Sequence, residues 1–345
     1  MIIMIYSPVI IATLNRCEHL KRCLDSLDKN KGAEETEVYV SVDFPPSEKY
    51  WQGYDQVVEF LRCVQYRFKK FHVFFQEKNQ GPKRNFEFLK RIVIEKSKTY
   101  IYTEDDNEFS PNFLQYVNKG LELFENDESV LAICGYKDTE WDCGGHEFTK
   151  SKLFPAYGYG AWFAKDELMY KEGQEILFSK NNLKIRNIGR LYALNKCLFY
   201  QYMTQVVCSD KGLFWNDGDF RWCDSAKSIY MHLTEKSVVV PLVPKSRTWG
   251  NDGSGLNMPD IMSEGKYELP ILDERRNFEF ILTGVLRHDD INYRLGDKYL
   301  RQCVSIKGLC VAWLEYILLI LCGYKRSKAI KIVETLRRKN RIRNI

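Results

Sequence analysis

The sequence predicts an α/β fold with a mixed, mostly parallel central sheet flanked by helices and a helical C-terminal extension. Three observations lead there. Short apolar runs alternate with amphipathic stretches over the first 125 residues. Several of those runs end abruptly in polar or acidic residues. The composition, 45% apolar and 28% charged, is that of a chain able to bury a sizeable core.

Residues 8–13, Pro-Val-Ile-Ile-Ala-Thr, are a continuous apolar run of the kind that forms a strand buried on both faces. Leu14-Asn15-Arg16 follows, then a helical pattern with Leu20, Cys23, Leu24 and Leu27 on one face. The second strand, Glu37 to Asp43, ends in an acid, and Pro45-Pro46 breaks the chain. Residues 54–69 read as a helix through Val57, Val58, Leu61 and Val64. Phe71–Phe75 is a third strand, Gly81-Pro82 opens another helix, and Tyr100–Thr103 is a fourth strand. Glu104-Asp105-Asp106 comes directly after it. Ser110 as N-cap and Pro111 at the first helical position predict a helix carrying Phe113, Leu114 and Val117.

Further on, Val130–Cys134 and Val238–Val243 read as strands. Residues 154–165 form a stretch rich in glycine and aromatic rings. It reads either as backbone open to a ligand at Gly158 and Gly160 or as an ordinary turn with core rings. The Gly-rich segment 245–257 has few apolar residues and reads as a mobile lid.

Alternation of this kind implies right-handed βαβ units, and such sheets bind ligands beyond the carboxyl ends of their strands. Leu14-Asn15-Arg16, Asp43 and Glu104-Asp105-Asp106 all fall there. A lone acidic triplet is commonly a solvated turn. Its place beside two other polar features argues for a positively charged occupant instead.

The net charge of +5 conceals an asymmetry: residues 324–345 hold nine Lys or Arg against Glu334, and the other 323 residues sum to −3. The body therefore lacks the basic footprint of a nucleic-acid binder. Eleven cysteines without a Cys-x-x-Cys pair argue against a disulfide framework or zinc ribbon, and fit a cytoplasmic protein. The first ten residues lack a basic lead and are not read as a signal peptide. Residues 311–322 are apolar but short of the about 20 residues that span a bilayer. Followed by the basic tail, with Trp313 and Tyr316 as interfacial rings, the segment 311–345 suggests peripheral contact with an anionic membrane, on the inner face. A core-capping helix with a solvated tail is the alternative.

Four blocks carry a family resemblance: Val9–Arg16, Val40–Asp43, Tyr102–Phe113 and Ser246–Trp249. Over roughly residues 8–260 the sequence resembles nucleotide-sugar glycosyltransferases of the GT-A (Rossmann-like) fold. In motif style it is similar to the N-acetylglucosaminyltransferase I group and bacterial family 2-like enzymes. The resemblance implies a transferase domain over 1–260, with 1–125 as nucleotide-binding half and 126–260 as acceptor-side half, and a helical extension over 261–345. It implies that Ala12, Thr13, Asn15 and Arg16 contact the nucleotide and diphosphate, that Asp43 faces the nucleoside, and that Glu104 and Asp105 face the ribose and donor sugar. Asp106 would hold Mn2+ or Mg2+, and Ser246 and Arg247 would begin the loop that closes over the donor.

The catalytic base would lie in Trp215–Trp222, with Asp219 favoured and Asp217 second, because Gly218 stands where the family has an aromatic residue. The implied reaction is a metal-dependent, inverting transfer from a nucleotide sugar, UDP-linked by default, to a glycan or lipid-linked acceptor, as in polysaccharide biosynthesis. Two alternatives remain: a nucleotidyltransferase making a nucleotide sugar, and a non-catalytic membrane-bound scaffold. The first is disfavoured because Leu14-Asn15-Arg16 lacks the glycines of its usual first loop.

Overall fold

The computed structural model describes residues 5–137, 147–208, 224–255, 260, 262–263, 268–280 and 304–342. The chain forms two compact units. The first comprises Met1–Lys150, Pro155–Asp166 and Val238–Leu286; the second Ser151–Phe154, Glu167–Ser237 and Arg287–Ile345.

The first unit is built on an eight-stranded sheet in the order β3-β2-β1-β4-β8-β6-β9-β7. Its strands are β1 (Val9–Thr13), β2 (Glu37–Val42), β3 (Lys70–Phe75), β4 (Thr99–Glu104), β6 (Val130–Cys134), β7 (Phe148–Ser151), β8 (Tyr159–Trp162) and β9 (Ser237–Pro241). β1 runs parallel to both β2 and β4, and β2 parallel to β3; β8 is antiparallel to β4 and β6. This is the mixed, mostly parallel GT-A-like sheet that the sequence predicts. Helices α1 (Cys17–Asp28), α2 (Trp51–Cys63), α3 (Gly81–Ile94) and α4 (Phe113–Leu123) connect the early strands.

Local chemistry explains these elements. β1 is β-branched and apolar, with Val9, Ile10 and Ile11 wholly buried, as suits a central strand. α1 turns Leu20, Cys23, Leu24 and Leu27 inward, the 3.6-residue stripe read from the sequence. α3 has Pro82 in its first turn and buries Asn85, Leu89 and Val93 at four-residue spacing. The core joins Val9, Ile11, Leu24, Val38, Ile101 and Phe113 across both layers.

Four local expectations change. The helix expected over 54–69 spans Trp51–Cys63, because Val64 turns extended and Phe68 is drawn into the core. Asn112, not Ser110, stands at the N-cap of α4; the Ser110 hydroxyl donates to Asn112 Oδ1 instead. The Gly-aromatic stretch contains a buried strand, β8. A side chain at Gly160 would meet Leu121 at 2.9 Å and Val117 more closely still, so this glycine serves helix–sheet packing. The segment from Lys245 is not loose at its start: Lys245 and Ser246 are fully buried. Ser246–Thr248 (β10) pairs antiparallel with Asn107–Phe109 (β5). Lys245 is fixed by an ion pair to Asp273, which also accepts from Asn112 at 3.1 Å.

In the second unit, α5 (Ile185–Leu194) and α6 (Lys196–Gln201) precede a π-helical turn, Tyr202–Val207, and α7 spans Asp224–Thr234. The helices Ile306–Leu321 and Arg326–Ile342 close it. The rings assigned above to a membrane interface face inward. Tyr316 is buried with its hydroxyl on Leu183 O at 2.9 Å, and Trp313 packs on Phe199 with centroids 4.7 Å apart. Among the described residues no helix is long and apolar enough to cross a membrane.

Candidate active site

The polar features at the strand ends meet. Ala12 lies opposite Glu104 across the β1–β4 pairing, and Thr13 opposite Val42 across β1–β2. Register alone therefore brings the carboxyl ends of β1, β2 and β4 level, with Arg16 and Asp43 just beyond them. The chain then turns through Asp105-Asp106 and leaves as β5.

Arg16 stands at the N-cap position of α1. Its guanidinium spans two carboxylates, pairing with Asp105 through Nη2 and with Asp106 Oδ2 through Nη1 at 2.9 Å. Asp105 also accepts from Thr13 Oγ1 at 2.7 Å. Burial works against the charge on Arg16, but Asp105 and Asp106 win and hold it above its ordinary pKa. Asp106 Oδ1 is buried and has no hydrogen-bond partner among the described residues. Burial is the largest influence on this carboxyl and, with Asp105 beside it, holds it above the usual carboxylate range against the pull of Arg16. Glu104 is exposed, and Oε1 accepts from Tyr102 Oη at 3.0 Å.

Asp43 is buried and fully engaged. Its Oδ1 accepts from the N–H groups of Phe44 at 2.9 Å and Gln80 at 2.7 Å; its Oδ2 accepts from Gly81 N at 2.8 Å and Asn79 Nδ2 at 3.2 Å. It thus ties the end of β2 to the start of α3. Burial nevertheless leaves its carboxyl above the usual range, against those backbone donors. Asn15 is half-buried, and its carbonyl lies where Gly53 of α2 approaches so closely that a Cβ would collide. Ser246 is committed as well, donating to Tyr157 O and pairing with Phe109. Arg247 donates through Nε to Glu108 at 2.9 Å. Asp217 and Asp219 lie outside the described residues.

Several participants carry no obvious sequence signal. Glu108 Oε2 also accepts from Trp249 Nε1 at 2.7 Å, and Arg22 stacks over the Trp249 ring at 4.1 Å. Trp249 N donates to Asp106 O at 2.8 Å. This clasp sets Gly250 directly against Asp106: a Cβ there would stand 3.0 Å from Asp106 Cγ and closer still to Oδ2. Asp252 lies 3.1 Å from His19 Nε2, three residues beyond Arg16 on α1. The Trp-Gly pair after Ser246-Arg247-Thr248 was the one available hint of this contact.

Gly250→Ala is therefore expected to push the Asp106 carboxylate out of place. If Asp106 serves a reacting centre, as the sequence resemblance implies, a misplacement of about 1 Å there costs about 100-fold in rate. Steady-state donor turnover checks this, with Gly189→Ala, where an added Cβ meets nothing within 4 Å, as the comparison variant.

Among the described residues no three His, Cys, Asp or Glu side chains gather as a ready-made metal cage. What the site does offer is one buried carboxylate oxygen without a partner, beside an acidic neighbour and a fork-shaped cation. This donor chemistry suits a hard divalent ion whose other ligands come from phosphate and water.

The chain is similar to a mannosyltransferase from Pyrobaculum calidifontis in complex with GDP-Man and Mn2+, at 15% identity, covering 49% of this chain and 46% of that one, TM-score 0.35. It is similar to S. aureus TarS in complex with UDP-GlcNAc, at 19% identity, covering 48% of each chain, TM-score 0.33. The chain spans about half the length of these two solved structures. No curated protein matches it. The family model described as glycosyl transferase family 2 matches residues 9–181, half of the 345 residues. Its span takes in β1, Arg16, Asp43 and the Asp105-Asp106 turn, and on that match the chain belongs to glycosyl transferase family 2.

Proposed function

We propose that this glycosyltransferase performs a metal-dependent, inverting transfer of a sugar from a nucleotide sugar, UDP-linked by default, to a glycan or lipid-linked acceptor. The observation that carries the reading is the partnerless buried Oδ1 of Asp106 beside Arg16. A buried carboxylate oxygen in that state costs free energy unless a cation or donor completes it.

Bound there, Mn2+ or Mg2+ would neutralise charge on the departing diphosphate. Asp106 would be the protein's ligand to it. Arg16, freed in part from its carboxylates, offers two parallel N–H donors to phosphate oxygens. Thr13 holds Asp105 in place, and Ala12, Thr13 and Asn15 form the backbone edge of the nucleotide subsite. Glu104, which is exposed, and Asp105, which is buried, face the ribose and donor sugar. Asp43 and Ser246, whose oxygens are already engaged, act through the loops they fix. Arg247 steadies the donor-side loop through Glu108. Asp219, with Asp217 as second choice, takes the proton from the acceptor hydroxyl.

Residues 1–260 are assigned to the transferase, with 1–125 serving the nucleotide and 126–260 the acceptor, and 261–345 to the extension. The setting is the cytoplasmic side of a membrane, in the assembly of a polysaccharide. A panel of nucleotide sugars incubated with and without a chelator tests the reading. One member is expected to release its nucleoside diphosphate, and the release should stop on chelation. Pyrophosphate release from a nucleoside triphosphate would favour nucleotidyl transfer instead.

A further inference from the structure

The helix Ile306–Leu321 is two-sided in an unusual sense. Ala312, Tyr316 and Leu319 are buried on one side. On the other, Ile306, Cys310, Leu314, Ile317 and Leu321 form an exposed row at spacings of four, four, three and four residues. Ile306 is 83% exposed, Leu314 64% and Leu321 77%. Val311 and Ile320 flank the row and are exposed too, so the apolar arc is broader than a two-position helix seam. Lys307 is the one charged residue exposed on this helix. Water-facing apolar surface of this extent ordinarily marks an interaction site.

The next helix, Arg326–Ile342, carries seven Lys or Arg against one Glu. Lys325, Lys328 and Lys331 are exposed. An apolar face followed directly by a strongly basic helix is complementary to one kind of surface: a bilayer with anionic headgroups. At 16 residues the apolar helix measures about 24 Å, too short to cross but long enough to lie in the interface. Pairing of two copies through the same face would bring two such basic helices into one assembly, where like charges oppose it.

We propose that the Ile306–Leu321 face docks this protein on anionic lipid, with the exposed aliphatic row entering the acyl boundary and the lysines of the following helix held by headgroup charge. The proposal rests on the reading above only for the lipid-linked acceptor it would bring within reach.

Flotation of the full chain with phosphatidylcholine vesicles, with and without phosphatidylglycerol, tests it. Binding is expected only with phosphatidylglycerol present, and should weaken with added salt. Leu314→Glu combined with Ile317→Glu should weaken binding at least about tenfold. Lys328→Gln with Lys331→Gln should weaken it about 25-fold, at about fivefold per lysine. Both pairs are exposed, and far-UV circular dichroism checks that the fold survives.

Wild-type protein that does not float, or variants that float unchanged, overturns the proposal. So does a wild-type dimer that becomes monomeric in the Leu314/Ile317 variant with flotation unaltered, since the face would then join two copies. Donor turnover without vesicles, on the same preparations, separates the two ideas. Turnover without flotation removes the docking alone; flotation without turnover removes the active-site reading and leaves the docking standing.

Discussion

Asp106→Asn is expected to lower donor turnover by about 10³-fold while leaving the protein at least as stable as wild type at neutral pH. The two halves of this expectation have one cause. Oδ1 of Asp106 is buried without a partner and Oδ2 shares Arg16 with Asp105, so the ionised group is under-compensated in the free protein. Its pKa is accordingly raised. A carboxyl raised on folding makes the folded state the tighter proton binder. The stability it contributes is present below the unfolded value, about 3.9, and is lost as pH rises through the folded value. Asparagine keeps the shape and does not titrate, so the stability gap in its favour should open as pH climbs past the carboxylate range. Thermal melts from acid to neutral pH, set beside turnover, read both effects. A variant that is clearly less stable than wild type at neutral pH and still turns over donor would mark Asp106 as a structural group.

Arg16→Met should behave in the opposite way. Arg16 is the cation that lets Asp105 and Asp106 sit side by side in a mostly buried turn. Removing one partner from a buried ionic group leaves uncompensated charge, and the loss is about 3 kcal/mol. Thr13 still satisfies one oxygen of Asp105, which keeps the loss from being larger. Donor affinity should also fall, because the fork that would bind phosphate is gone. Arg16→Lys should restore part of the stability but less of the affinity, since an ammonium cannot span two carboxylates or grip a phosphate bidentately. Denaturant melts and nucleotide titrations on the three proteins separate these contributions. Equal stability in the Met variant would mean that the carboxylates do not depend on Arg16.

The parts of the fold legible in the sequence are those with long, unambiguous patterns. β1 and β6 are nearly unbroken apolar runs, β2 and β4 are rich in β-branched and aromatic residues, α1 and α3 carry regular inward stripes, and α4 is buried on most of its circumference. The convergence of Arg16, Asp43 and Glu104-Asp105-Asp106 followed from topology, because parallel strands put their carboxyl ends on one edge. β5 and β10 escaped notice since three residues each is too short for any periodicity, and their pairing is long-range. β8 is masked by Gly158 and Gly160, which read as loop; Gly160 lets Val117 and Leu121 press against the sheet, and Gly158 takes a left-handed φ beside Phe109. The segment from Lys245 reads as mobile in sequence because polar residues ordinarily face solvent. In fact Lys245 is buried against Asp273, and Ser246 and Thr248 are buried in β10. The clasp of Glu108, Trp249 and Arg22 joins three distant segments through side chains, and spacing within one segment cannot reveal it.

On the proposed function, Asp106 and a divalent ion together receive the diphosphate. Calorimetric titration of UDP into the protein, with and without Mn2+, for wild type and Asp106→Asn, tests it most directly. UDP binding is expected to strengthen markedly with Mn2+ in wild type and to be indifferent to Mn2+ in the variant. UDP binding of equal strength in both proteins, with the same response to Mn2+, would contradict it.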